Sequence, residues 1–142
     1  MADAYAKVSS VRDGIESERN LQGFFMAYLN LNDYYITAPE LELSHGYCDF
    51  FLLPDHTHYA SRHSYILELK VLSKKEFDEP LKNQLDKNGK PLTKAEKQWI
   101  EAVEQIKRYA AAPRVEALRQ GTTLHRIVMQ FKGWELARME EV

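Results

Sequence analysis

One stretch constrains this chain more than any other: Ser64-Tyr65-Ile66-Leu67-Glu68-Leu69-Lys70-Val71-Leu72. It is apolar enough to be a central strand of a sheet, yet it contains an acid and a base. Side chains alternate across a strand, so Glu68 and Lys70 share one face. Tyr65, Leu67, Leu69 and Val71 take the other face and the core. Charges in such a strand are costly unless paired or solvated.

A second acid, Asp49, interrupts another apolar stretch, Tyr47 to Leu53. If the two strands are neighbours, Asp49 lies beside Glu68. Two hard carboxylates close together suit magnesium or manganese. A nearby lysine can orient a water and stabilise charge growing on a phosphate. Spacing alone serves a second reading equally well. In it, Glu68 and Lys70 form a structural ion pair at the end of the sheet and Asp49 caps a turn.

The rest of the chain supplies the frame. The spacing of Leu21, Phe25, Tyr28 and Leu29 predicts a helix over 14–31, after a loose leader at 1–13. Tyr34 to Leu43 reads as a strand, with Pro39 marking an edge or a bend. His56 to Arg62 reads as a polar loop. Residues 74–94 are polar and charged, contain Asn88-Gly89-Lys90-Pro91, and read as a mobile insertion. From Ala95 to Ala112, the residues Trp99, Ala102, Val103, Ile106 and Ala110 form one helical stripe. Pro113 ends or bends that helix, and a short helix follows until Gly121. Leu124 to Phe131 and Trp134 to Met139 read as strands joined by a turn at Lys132-Gly133. The order is helix, three strands, helix, two strands. It predicts an α/β or α+β class, with a mixed sheet covered by helices.

Length and composition narrow the function. The 142 residues suit one domain, spanning 14–142. The net charge of −2 does not advertise nucleic acid, so any phosphate contact must come from a local patch. A single cysteine, Cys48, rules out an intrachain disulfide and reads as a small core residue. No apolar run is long enough to span a membrane, and the first residues lack a signal-peptide pattern. These features favour a cytoplasmic protein. The Gly-x-x-x-x-Gly-Lys-Ser/Thr phosphate loop is absent, so this chain binds no ATP by that route.

Three further groups invite a role. Glu18 lies seven residues before Phe25 and eleven before Leu29, and so shares their inward face; a first-turn acid complementing the helix dipole would look the same. Gln105 and Tyr109, at i and i+4, flank the Trp99/Val103/Ile106 stripe. They can border a substrate groove, supporting the site rather than the core, or form a plain helix-surface hydrogen bond. His56, His58 and His63 have zinc-ligand chemistry but lack the cysteines or spacing of structural zinc sites, and a solvated loop explains them equally well. Lys74, Lys75, Lys82, Lys87, Lys90, Lys94 and Lys97 could meet phosphates. The interspersed Glu76, Asp78, Glu79 and Asp86 favour a solvated loop instead.

Taken together, these pieces resemble the PD-(D/E)xK nuclease superfamily. The matching residues are Glu18, Gly46-Tyr47-Cys48-Asp49 and Tyr65-Ile66-Leu67-Glu68-Leu69-Lys70. Gln105-Ile106-Lys107-Arg108-Tyr109 looks like the Gln-x-x-x-Tyr motif of its RecB-like branch. More narrowly, Phe24 to Leu29, Gly46 to Leu52 and Tyr65 to Lys70 are similar to the nuclease-like domain found C-terminal to AAA-type ATPase-like domains in Bacteroides-type bacteria. The likeness runs from about Glu16 to the C-terminus. Cys48 stands where the superfamily has its proline.

The resemblance implies a restriction-endonuclease-like α/β fold, with a mixed central sheet flanked by helices. It implies that Asp49, Glu68 and the Leu69 backbone carbonyl hold magnesium or manganese, while Lys70 positions the water. Glu18 would support the metal or its water, and Gln105 and Tyr109 would touch the substrate. Two function classes follow. One is a metal-dependent nuclease acting on DNA, or on RNA. The other is a catalytically silent nuclease fold that partners an AAA-type ATPase domain, in cis or in trans.

Overall fold

The computed structural model describes Gly23, Ala27 and residues 35–43, 46–54 and 62–142; side chains in the first two strands are described at 50–53 only. Gly23 and Ala27 are helical and exposed. The rest of the helix expected over 14–31, with Glu18, lies outside the described residues.

Seven strands and three helices follow in the described residues: β1 (Tyr35–Leu43), β2 (Gly46–Pro54), β3 (His63–Leu72), α1 (Lys74–Phe77), β4 (Pro80–Leu85), β5 (Pro91–Thr93), α2 (Lys94–Ala110), α3 (Pro113–Arg119), β6 (Thr123–Lys132) and β7 (Glu135–Glu141). Five of the strands form one sheet in the order β1-β2-β3-β6-β7. β3 is its centre, as its apolar sequence requires, and β1 with Pro39 is an edge. Pairing is antiparallel except between β3 and β6, which run parallel. A parallel pair needs a long crossover. Here it consists of α1, the β4–β5 hairpin, α2 and α3. The result is a restriction-endonuclease-like α/β fold.

Local chemistry explains where the crossover helices begin and end. At α2, the Thr93 hydroxyl accepts from the Glu96 amide, and the Glu96 carboxylate accepts from the Thr93 amide. These two bonds satisfy donors that a helix start leaves open. Pro113 opens α3 at a position where its missing N–H costs nothing. Gln120 (φ 53°) and Gly121 (φ 76°) are both left-handed and stop it.

Both faces of the sheet carry buried apolar residues. Phe51, Ile66 and Val128 join Trp99, Ala102, Ile106, Tyr109, Ala112 and Val115 in one buried cluster. Phe50, Leu52, Leu67, Leu69, Met129 and Phe131 form a second on the opposite face. The alternation read from β3 holds. Its consequence is stronger than expected, because the face carrying Glu68 and Lys70 is also a core face, roofed by α2.

Residues 74–94, read as a mobile insertion, carry regular structure. α1 is capped reciprocally by Ser73 and Glu76. β4 and β5 form a separate hairpin whose turn is organised by Asp86, which accepts from the amides of Asn88 and Lys90. Short-range polar bonds of this kind stabilise a turn without any hydrophobic run, which is why periodicity did not show it. No helix of the described residues is long and apolar enough to cross a membrane.

Candidate active site on the central strand

β3 sets the site. Ile66, Glu68 and Lys70 share the α2-facing side of the strand, as the packing of Ile66 against α2 residues shows. Glu68 is only 1% exposed. Lys70 places its Nζ 3.1 Å from Glu68 Oε1 and keeps 19% of its side chain accessible. Thus a carboxylate lies inside the core face while its cation reaches the surface. Two charges on one apolar strand face cost desolvation energy that their attraction only partly returns. A charged pair half inside a core face is a candidate functional site on that ground.

β2 is the strand that carries the second acid. Phe50, Phe51 and Leu52 pair with Leu67, Ile66 and Tyr65. Carried on by one residue, this register sets position 49 across from Glu68. Position 49 also has the strand parity of Phe51, which packs on the α2 side. Asp49 lies inside the nine-residue strand β2, not in a turn, which removes the turn-capping half of the structural reading.

β6 adds a neighbour that the sequence reading missed. Gln130 stands beside Lys70 in the parallel register and is 3% exposed. Its Nε2 donates to the Ala95 carbonyl at 2.8 Å and to Gln98 Oε1 at 3.0 Å. Gln98 Nε2 in turn reaches the Val71 carbonyl at 3.4 Å. The buried amide of Gln130 and the half-buried amide of Gln98 therefore tie the first turns of α2 to β6 and β3 beside Lys70. The signal was present as a polar residue inside the apolar run Leu124 to Phe131. Only the pairing of β6 with β3 gave it a place.

The expected Gln105–Tyr109 pair exists. Gln105 Nε2 donates to the Tyr109 hydroxyl at 2.5 Å. Tyr109, however, is 3% exposed within the core cluster. Its ring packs in the core, and its hydroxyl meets Gln105. By helical spacing, Gln98, Ala102, Gln105 and Tyr109 lie on one row. That row begins at the Gln98 contact with β3.

His56 and His58 lie outside the described residues. His63 is hydrogen-bonded to His125 (2.8 Å), whose other ring nitrogen meets Glu141 at 2.6 Å. Among the described residues, no group of three or more His, Cys, Asp or Glu is placed to hold a metal ion; the Asp49 side chain is not among them. Leu69 pairs with Met129 in the ladder, and its side chain is in the opposite core. A cavity of about 730 Å³ lies off the site, lined by Ser73, Lys75, Glu76, Asp78 and Glu79.

The donor chemistry fits a hard divalent cation. The buried Glu68 carboxylate supplies oxygen, and the register brings another acid's position to it. No curated protein and no solved structure matches the chain. A family description does match, over residues 16–141. With that match over most of its length, and with Glu68 and Lys70 two apart on the central strand of its sheet, the chain belongs to the PD-(D/E)XK nuclease superfamily.

Proposed function

We propose that this protein is a metal-dependent nuclease that hydrolyses phosphodiester bonds of DNA, or of RNA, at the face formed by β2 and β3. The observation that carries the proposal is the buried Glu68 carboxylate 3.1 Å from Lys70, opposite the register position of Asp49.

In this reading Asp49, Glu68 and the Leu69 backbone carbonyl hold magnesium or manganese. The bound ion would supply Lewis acidity toward a phosphodiester oxygen. Lys70 does what a fixed ammonium can do. Held beside Glu68, its ammonium can orient a water and stabilise the charge that grows on a phosphate oxygen. Glu68 orients Lys70 through the ion pair. Gln98 and Gln130 fix the backbone and the helix start on either side of it. Glu18 would support the metal or its water, and Gln105 would border the substrate path with the Tyr109 hydroxyl behind it.

The test is a cleavage assay on mixed DNA and RNA substrates with magnesium or manganese. Cleavage should stop with EDTA. Lys70→Ala should lower the rate by roughly a hundredfold or more while the protein stays folded, the usual cost of one positioned electrostatic group. The same pair of proteins separates catalysis from the alternative of a silent nuclease fold that partners an AAA-type ATPase domain. That alternative predicts no cleavage by either protein, and retention of an ATPase domain by both.

A further inference from the structure

The fold sorts the seven lysines of residues 74–97 into two groups. Lys74 lies over the Trp134 ring, 3.8 Å from its centroid, and meets Glu135 at 3.8 Å. Lys94 pairs with Glu79 at 2.8 Å, and Lys97 with Glu101 at 3.8 Å. Lys75, Lys82, Lys87 and Lys90 make no ion pair among the described residues. Three of these four belong to the β4–β5 hairpin.

Among the described residues, the acids nearest the hairpin have partners other than its lysines. Glu76 caps α1 by accepting from Ser73, which holds its carboxyl below the ordinary value. Asp78 pairs with Lys132 at 2.5 Å and Glu79 with Lys94. Asp86, the only acid between Pro80 and Thr93, accepts from two turn amides at 2.8 and 2.9 Å. The run 74–94 is mixed in charge, whereas the hairpin itself, Pro80 to Thr93, sets three lysines against one carboxylate and is net positive.

Its position ties it to the site. The hairpin closes at its base through the Lys94 amide donating to the Glu79 carbonyl at 2.9 Å. It runs directly into α2, whose Gln98 touches the Val71 carbonyl, one residue past Lys70. From Thr93 to Gln98 the helix rises only about 7.5 Å. From that base a six-residue strand extends about 20 Å. Most of the hairpin is exposed, including Leu85 at 63%. Asn83, with φ 70°, sits at an irregularity in the β4 pairing, where extra twist is expected.

We propose that the β4–β5 hairpin is an arm that grips the phosphate backbone of double-stranded DNA beside the candidate active site, through Lys82, Lys87 and Lys90. The inference rests on the nuclease reading and names its substrate as duplex. Two observations favour a duplex over a single strand. No aromatic residue lies between Pro80 and Thr93 on which an unpaired base could stack. A two-stranded ribbon is also an element that duplex grooves admit.

The test measures binding of the full chain, in EDTA to prevent hydrolysis, to labelled DNA of about 25 base pairs and to one of its single strands, across a salt series. The variant carries Lys82→Gln, Lys87→Gln and Lys90→Gln, and Lys87→Gln alone serves as a milder probe. If the arm grips phosphates, the duplex salt slope becomes shallower by about 0.9 for each lysine removed. Affinity at about 0.1 M salt drops roughly a hundredfold for the triple variant. Because all three side chains are exposed, melting temperature should not move. Wild-type binding with an affinity and slope that the substitutions leave alone overturns the arm and leaves the nuclease reading standing. Tighter binding of the single strand overturns the duplex assignment. A wild-type protein that binds neither overturns the arm and the nucleic-acid reading together.

Discussion

Gln130 offers a sharp test of how the site is held. It is buried, and both of its neighbours, the Ala95 carbonyl and Gln98 Oε1, are acceptors. Only the amide NH₂ satisfies both, so the orientation of this side chain follows from its surroundings. Gln130→Leu keeps most of the volume and removes two hydrogen bonds. At about 1 kcal/mol net each, the loss is roughly 1–2 kcal/mol after the added apolar contact is counted. Gln130→Glu is nearly isosteric but sets carboxylate oxygens against two acceptors in a site 3% exposed. That places an unpaired buried charge, or a neutral acid with one donor for two acceptors, and should cost about 3 kcal/mol or more at neutral pH. For a domain of this size, each kcal/mol moves the melting temperature by about 4 °C. Urea titrations of the three proteins should share one slope and differ in midpoint, in the order wild type, Leu, Glu. Equal midpoints for wild type and Gln130→Glu would refute the reasoning, because a residue that donates to two buried acceptors cannot be replaced by an acceptor without penalty.

Three further outcomes can be checked together. Trp99→Ala should destabilise by roughly 3–5 kcal/mol, because Trp99 is 7% exposed and its ring stacks under Arg138 at 3.9 Å; Gln105→Ala should cost only about 1 kcal/mol, and equal losses in thermal melts would count against that division. Manganese should stabilise the wild type by mass action, by about 2.7 kcal/mol at a hundredfold excess over its dissociation constant, and so raise its melting temperature. Asp49→Asn should lose most of that gain while being at least as stable without metal, and a wild-type melt unmoved by manganese argues against the metal site. Glu76 has its carboxyl lowered, chiefly by the Ser73 hydroxyl; its contribution to α1 is therefore full above the ordinary value of 4.5 and is lost as pH falls through the lowered one. The protection of the amides around Ser73, taken relative to their intrinsic exchange, should fall over that acid range in the wild type and stay constant with pH in Glu76→Gln.

The sequence by itself determined much of this protein. The alternation in β3 set Glu68 and Lys70 on one face, because a strand leaves no other choice once Leu67 and Leu69 are buried opposite. The stripe from Trp99 to Ile106 determined a helix within one or two residues of its observed ends. Tertiary structure decided what local patterns cannot encode. The parallel pairing of β6 with β3 brought Gln130 beside Lys70 across 60 residues of chain. Tyr109 became a core residue because α2 lies flat on the sheet; helical spacing alone leaves a flanking tyrosine free to face either way. The lysines of residues 74–97 looked neutralised while acids and bases were counted along the chain. Folding separated them, because an ion pair depends on distance in space: Asp78 and Glu79 pair with Lys132 and Lys94 rather than with the lysines of the hairpin.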